Sequence, residues 1–430
     1  MIKVGLVSLG CAKNLIDSEM ILAMFDREKF QLTDDPKDAD LIIVNTCGFI
    51  ASAKKESIDT ILEMAQYHAK VAVVGCLAER YYEELKSSLS EADLIVPIRD
   101  YQDLPALLSH LVGSDGIAPL DPLKRVVSTP DYSAYLRISE GCNNFCAFCA
   151  IPYIRGRFVS RPFDEIIAEA KQLKAKGVKE ISLISQDTTR YGFDFKGQKP
   201  NIVDLLKALE ALDFYSIRLL YLYPDEISND LIKTIGDSRC IAHYFDIPVQ
   251  AGSDHMLKAM RRHGDKAQMM ELFATIKKEV PDAVLRTTLI AGFPGENEAD
   301  HAETLEFLKT IRFDHMGAFV YSREEGTAAY DFPHQIPEKT KKKRLDELMA
   351  LQKKISYENN KGRVGQVMEG LVISYDPSHK LYGLRSVWNA PDDIDGSIAF
   401  SSNKPLKIGE VVKVKITGAF VYDLMGKAVE

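Results

Sequence analysis

From residue 1 to about 112, short β-branched apolar runs alternate with segments whose apolar positions recur at helical spacing. IKVGLVS, LIIVN, KVAVVG and ADLIVPI read as strands, with helices such as Asn14 to Phe25 and Ser52 to Gln66 between them. That alternation predicts a small parallel sheet covered by helices. Residues 113–133 lose the periodicity, hold three prolines and two glycines, and read as a linker. Over residues 134–336 the alternation returns on a longer scale, in YLRIS, KEISLIS, SIRLLYL, HYFDIPV, AVLRTTLIA and HMGAFVY. Pro162, an apolar face from Phe163 to Leu173 and Gly177 mark the first intervening helix. Six strand–helix units match a partial (β/α)6 barrel better than a closed barrel of eight. Residues 337–362 read as a Lys-rich helical linker, and residues 363–430 as short strands of a small all-β barrel or sandwich.

Composition adds little to this architecture. The chain has 430 residues, is 46% hydrophobic and 27% charged, and carries a net charge of −8. That balance opposes a broad phosphate-gripping surface, so nucleic-acid contact is expected to be at most secondary. No apolar run is long enough to span a bilayer, and MIKVGLVSLG lacks the features of a signal peptide, so a cytoplasmic address and no membrane partner are expected.

The seven cysteines change the picture. Cys142, Cys146 and Cys149 fall within eight positions directly after the first barrel strand, where barrel chemistry sits. A structural zinc site would want a fourth Cys or His, and none is near in sequence. Three thiolates can hold three corners of a 4Fe-4S cluster and leave one iron open. Cys11, Cys47 and Cys76 each follow one of the first three strand candidates, at the edge where ligands gather in parallel sheets. Taken alone they read better as three semi-buried thiols. Cys240 stands apart and reads as packing.

CxxxCxxC with Phe148 before its last cysteine resembles the signature of the radical S-adenosylmethionine (SAM) enzymes. With LGCAKN and Asp17-Ser18-Glu19, NTCGFIASAKKESI and GCLAERY, the resemblance extends over the full chain to the methylthiotransferase family. It implies two 4Fe-4S clusters, one on Cys142, Cys146 and Cys149 and a second on Cys11, Cys47 and Cys76, with SAM completing the first. One SAM would methylate a sulfur at the N-terminal cluster, and a second would be cleaved at the central one to open a substrate C–H bond. The implied fold class is α/β: an N-terminal methylthiotransferase domain, a TIM-type radical SAM barrel and a C-terminal TRAM β-domain. Phe148, Gln186, Thr288 and Gly292 are the residues expected near SAM, and Gln250 near its ribose or the substrate. A flavodoxin-type protein is the expected electron donor.

Two substrate classes follow from the resemblance: adenosine in transfer RNA, and an aspartate of ribosomal protein uS12. Residues 363–430 hold eight basic and eight acidic side chains, a poor balance for gripping phosphate. LRSVWNAPDDIDG, residues 384–396, resembles an element of the ribosomal-protein enzymes and could instead be only a solvated turn. Methylthiolation of the uS12 aspartate β-carbon is therefore the expected reaction, with a tRNA enzyme and a non-catalytic iron–sulfur ribosome-binding factor as alternatives. Arg155 and Arg157 are candidates for the substrate carboxylate or for that of SAM. Lys339, Lys341, Lys342, Lys343 and Arg344 read as a solvated helix face or as a contact to ribosomal RNA.

Overall fold

The computed structural model describes residues 1–430 except 198, 199, 393 and 430. Asp393, part of the APDDIDG segment, therefore lies outside the described residues. The N-terminal sheet is parallel, in the order β2-β1-β3-β4-β5, with β1 Ile2–Ser8, β2 Phe30–Leu32, β3 Leu41–Thr46, β4 Lys70–Gly75 and β5 Leu94–Ile95. Strand β2 escaped the pattern because three residues are too few to show alternation. Helix α1 runs from Ala12 to Ala23, two residues ahead of its expected start, with Cys11 as its N-cap.

The middle of the chain contributes β6 Ser133–Arg137, a two-residue pair β7 Ser139–Glu140 and β8 Val159–Ser160, then β9 Glu180–Ile184, β10 Ser216–Leu219, β11 Tyr244–Asp246, β12 Val284–Ala291 and β13 His315–Val320. β6, β9 and β10 form one parallel ladder, and β11, β12 and β13 another. A single parallel bridge between Ile217 and Ile241 joins them into a six-stranded open arc. Alternate residues divide its two faces. Leu136, Leu183, Leu219, Phe245 and Leu285 pack outward with helix residues such as Ile166 and Phe273, whereas Tyr135, Ile184, Leu220 and Tyr244 face a different core.

That inner core is shared by all three parts of the chain. It combines Ala12, Ile16 and Met20 of α1 with the inward barrel residues and with Leu384, Trp388 and Phe400. Leu384 and Phe400 belong to a closed five-stranded barrel of β14 Val367–Asp376, β15 Leu381–Ser386, β16 Ile398–Ser401, β17 Val411–Ala419 and β18 Leu424–Ala428.

Three sequence readings need correction. The LRSVWNAPDDIDG segment is not simply a solvated turn: Asp392 and Ile394 are exposed, but Trp388 is 1% exposed and seated against the arc. Arg218 donates to the carbonyls of Ser386 and Val387, His315 Nε2 meets the Trp388 carbonyl at 2.7 Å, and the two rings pack edge-on with centroids 4.7 Å apart. The Asp395 side chain is fully buried, accepting from Tyr244 Oη at 2.7 Å and lying 3.3 Å from Arg286. Second, the lysine-rich run lies on one helix, Glu338–Arg363, and two of its five cations are buried. Lys341 donates to the Tyr321 carbonyl, and Arg344 grips Glu296 and Glu298. Third, residues 113–133 have little regular structure but are tied down. Arg125 is buried between Glu19 of α1 and Glu169 of the first barrel helix, at 3.2 and 2.9 Å.

Removing one partner from a buried ion pair strands the other charge. Asp395→Ala should therefore lower unfolding stability by about 3 kcal/mol at neutral pH, read by chemical denaturation.

Candidate active site at the N-terminal sheet and barrel mouth

The cysteines of each set lie together at the C-terminal ends of their strands. Cys11 follows β1, Cys47 follows β3 and Cys76 follows β4. Gly10 has φ +92°, and a Cβ there would press on Cys47, so glycine permits the close approach of these two loops. Ser57 Oγ donates to the Cys47 carbonyl and accepts from its N–H, at 2.9 and 3.0 Å. Asn14 Nδ2 donates to the carbonyls of Leu9 and Thr46, both at 2.9 Å, while its Oδ1 lies 3.4 Å from Cys76 Sγ. One α1 residue thus fixes all three strand-end loops.

The second set begins where β7 ends. Cys142 N–H donates to the Gly156 carbonyl, and Gly141, at φ +75°, lies where a Cβ would strike the Arg157 carbonyl. Asn144 N–H points to Cys142 Sγ at 3.5 Å, and its amide holds Asp187 at 2.8 Å. Cys146 Sγ lies 3.4 Å from Tyr223 Oη and 3.7 Å from Arg262, whose guanidinium stacks on the Tyr223 ring at 3.9 Å.

Burial pushes the Cys142 thiol up to about 11 and the Cys76 thiol up to about 12, and raises Cys149 and Cys47 as well. Thiols in such surroundings stay protonated and unreactive unless a metal takes their charge. Among the described residues no group of His, Cys, Asp and Glu converges on a single metal ion. A cubane instead spreads its thiolates over separate corners, and three soft sulfur donors fit that demand in both sets, from one loop in the barrel and from three strand-end loops in the N-terminal sheet.

The two sets are joined through Arg155. Its guanidinium donates to Asn14 Oδ1 at 2.5 Å, to Cys76 Sγ at 3.3 Å and to Asp17 at 2.6 Å. Asp17 takes a second arginine, Arg137 at the end of β6, on its other oxygen at 2.6 Å. Glu140 accepts from Arg137 at 3.0 Å and from Gln186 at 2.5 Å, so the chain of contacts continues to the end of β9. Arg155 is therefore committed within the protein and is not available as the substrate's carboxylate partner, a correction to the sequence reading. Arg157 is exposed and lies over the Phe145 ring at 4.3 Å. A further tie comes from the loop after β13, where Glu324 bonds Arg80 and the Ala51 N–H.

The other expected site residues are placed as follows. Phe148 packs edge-on against Phe293, 6.5 Å between centroids. Gln186 keeps a buried Oε1 without a partner. Gln250, at φ +72°, exchanges backbone hydrogen bonds with Thr288 and Ile290 of β12. Gly292 is needed for the approach of Lys341, a side chain of the same protein, and its N–H donates to Glu296 at 2.7 Å. Tyr223, Arg262 and Glu140 had no motif to announce them, whereas Asn14 and Asp17 lay within quoted motifs.

Family models match in the same three blocks: Uncharacterized protein family UPF0004 over residues 3–97, the radical SAM superfamily over 136–308 and the TRAM domain over 364–429. The chain is 43% identical to the ribosomal protein uS12 methylthiotransferase RimO of Acetivibrio thermocellus, over 99% of this chain and 98% of that one. It is 44% identical to the protein of that name from Aquifex aeolicus, over 100% and 98%. The chain belongs to the RimO methylthiotransferase family. Among solved structures, the radical SAM methyltransferase TsrM from Kitasatospora setae, with tryptophan and a SAM analogue bound, matches with a TM-score of 0.57 at 12% identity. The match covers 88% of this chain and 80% of that one, and it shows a shared fold.

Replacing Cys11, Cys47 and Cys76 together by Ala should remove about half of the iron and sulfide taken up on anaerobic reconstitution. The triple Cys142, Cys146 and Cys149 variant should lose the other half, and chemical iron analysis reads both. Burial pushes the Asp17 carboxyl up, but Arg155 and Arg137 outweigh it and hold it below the usual carboxylate range. A depressed folded-state pKa contributes stability above the unfolded value, which is lost as pH falls through the folded one. Asp17→Asn should thus cost about 3 kcal/mol at neutral pH. Its deficit against the wild type should shrink from about pH 4 downward, measured by denaturation at stepped pH.

Proposed function

We propose that this protein adds a methylthio group to the β-carbon of an aspartate in ribosomal protein uS12, using two 4Fe-4S clusters and SAM. The observation that carries the reading is the Arg155 bridge: a residue six positions beyond Cys149 touches Cys76, so the two cysteine sets belong to one working centre. Near-full-length likeness to proteins named for this reaction supports the same conclusion. When bound, SAM and the clusters supply the one-electron chemistry and the transferable sulfur.

The chain's own residues divide the remaining work. Cys142, Cys146 and Cys149 would hold the cluster that meets SAM, with Phe148, Gln186, Gln250, Thr288 and Gly292 around the strand ends where SAM would lie. Cys11, Cys47 and Cys76 would hold the second cluster. Arg155, Asp17 and Arg137 keep the two sites at a set separation, which an atom transfer between them requires. A flavodoxin-type electron donor and a cytoplasmic setting complete the reading; among the described residues no helix is long and apolar enough to cross a membrane. The even charge balance of residues 363–430 favours a protein substrate over tRNA.

Anaerobically reconstituted protein should convert a uS12 peptide, and not an adenosine-bearing tRNA offered in parallel, to a product carrying one added methylthio group by mass spectrometry. Product on tRNA alone would reverse the substrate assignment.

A further inference from the structure

The cations around the two cysteine sets are nearly all committed to partners. Arg137 and Arg155 hold Asp17 and Glu140. Arg190 holds Asp187, Asp225 and Glu226. Arg286 holds Asp246 and Asp395, and Arg262 donates to the Pro248 carbonyl and lies against Cys146. Among the described residues Arg157 meets no carboxylate, and it is exposed to water.

Lys13 differs from all of these. It is only 8% exposed, yet among the described residues its ammonium makes neither a hydrogen bond nor an ion pair. Its contact is the ring of Tyr221, whose centroid lies 3.2 Å from Nζ. A π-face attracts an ammonium but accepts little of what its three N–H donors can give. Lys13 Nζ is not among the fully buried polar atoms, so the stem is packed away while the ammonium stays open to a ligand, and an arriving anion takes the N–H donors that the ring cannot.

The position of Lys13 indicates where that anion comes from. It lies two residues after Cys11 in the first turn of α1, beside Asn14, which contacts Cys76 and Arg155. Tyr221 follows β10 at the mouth of the barrel, held by its N–H on Asp246 at 2.9 Å and by its carbonyl on the Thr188 N–H at 3.1 Å. Lys13 therefore joins the N-terminal cysteine set to the barrel mouth. We infer that Lys13 binds the side-chain carboxylate of the substrate aspartate. This inference rests on the uS12 reading above. The carboxylate is bonded directly to the β-carbon, so the cation that holds it also places the reacting carbon beside Cys11. Lys13 takes the role that the sequence assigned to Arg155 and Arg157.

The test uses reconstituted holoenzyme with Lys13, Lys13→Met or Lys13→Arg, and two uS12 peptides with Asp or Asn at the modified position. Fluorescence anisotropy reads peptide binding, mass spectrometry reads product, and iron analysis checks the clusters. The wild type should prefer the Asp peptide by about tenfold or more, the usual scale for a charge-assisted contact. Lys13→Met should bind both peptides alike, and Lys13→Arg should keep most of the preference. If Lys13→Met takes up less iron, Lys13→Gln replaces it and is judged by the same preference. Retained preference in the uncharged variant overturns the inference, as does a defect that appears as a raised KM for SAM. A wild type that modifies both peptides equally overturns the role of Lys13 and leaves the uS12 reading standing. A wild type that modifies neither overturns both.

Discussion

One carboxylate, Asp17, determines how the centre is assembled. It takes Arg137 on one oxygen and Arg155 on the other, and all three side chains are largely out of water. Desolvating three charges is tolerable only because each oxygen is met at 2.6 Å and the remaining donors find Asn14, Glu140 and Cys76. Arg137 ends a barrel strand, Arg155 follows the cysteine loop, and Asp17 lies on α1 of the neighbouring sheet. This hydrogen-bonded knot joins the N-terminal sheet to the barrel beside the cysteine loops, where the shared core and the Arg125 and Glu324 ties reinforce it.

A second constraint acts at the opposite end of the arc. An arc of six strands leaves its concave face uncovered, and two different parts of the chain cover it. Helix α1 contributes Ala12, Ile16 and Met20, and the C-terminal barrel inserts Trp388 with Asp395 beneath it. Tyr244, Arg286, His315 and Arg218 receive that insertion, so the floor of the barrel is polar and closed by hydrogen bonds and ion pairs. What remains open is the mouth, where the cysteine loops, Tyr221 and the strand ends gather.

The sheet, the six barrel strands and the all-β character of the terminal part were legible from periodicity, as in LIIVN at β3 or VLRTTLIA at β12, while the choice between a barrel and a sandwich was left open. Cys142, Cys146 and Cys149 stood out by their spacing, whereas Cys11, Cys47 and Cys76 matched no local spacing and were singled out by their position after strands together with the family resemblance. Strands β2 and β15 were missed, the first because it is short, the second because LYGLRS was read only as part of a recognition element. The partners of the charged residues were not legible at all. Arg155 and Arg157 look equivalent in IRGR, yet one is buried on Asp17 and the other lies in water over Phe145. Lys341 and Arg344 look like solvated neighbours in a lysine run, and only the docking of their helix onto Glu296 and Tyr321 separates them from the others. Long-range charge pairing depends on which surfaces meet, and a linear pattern does not encode that.

The connector of residues 113–133 alters how the molecule would come apart. Pro122 and Lys124 in it are exposed, but the next residue, Arg125, is buried between Glu19 and Glu169, and Ser128 is bonded to Glu19 as well. A protease that cut at the exposed stretch would leave Arg125 anchored on both sides of the junction. The two halves would stay together as a nicked but intact particle, parting only under denaturing conditions.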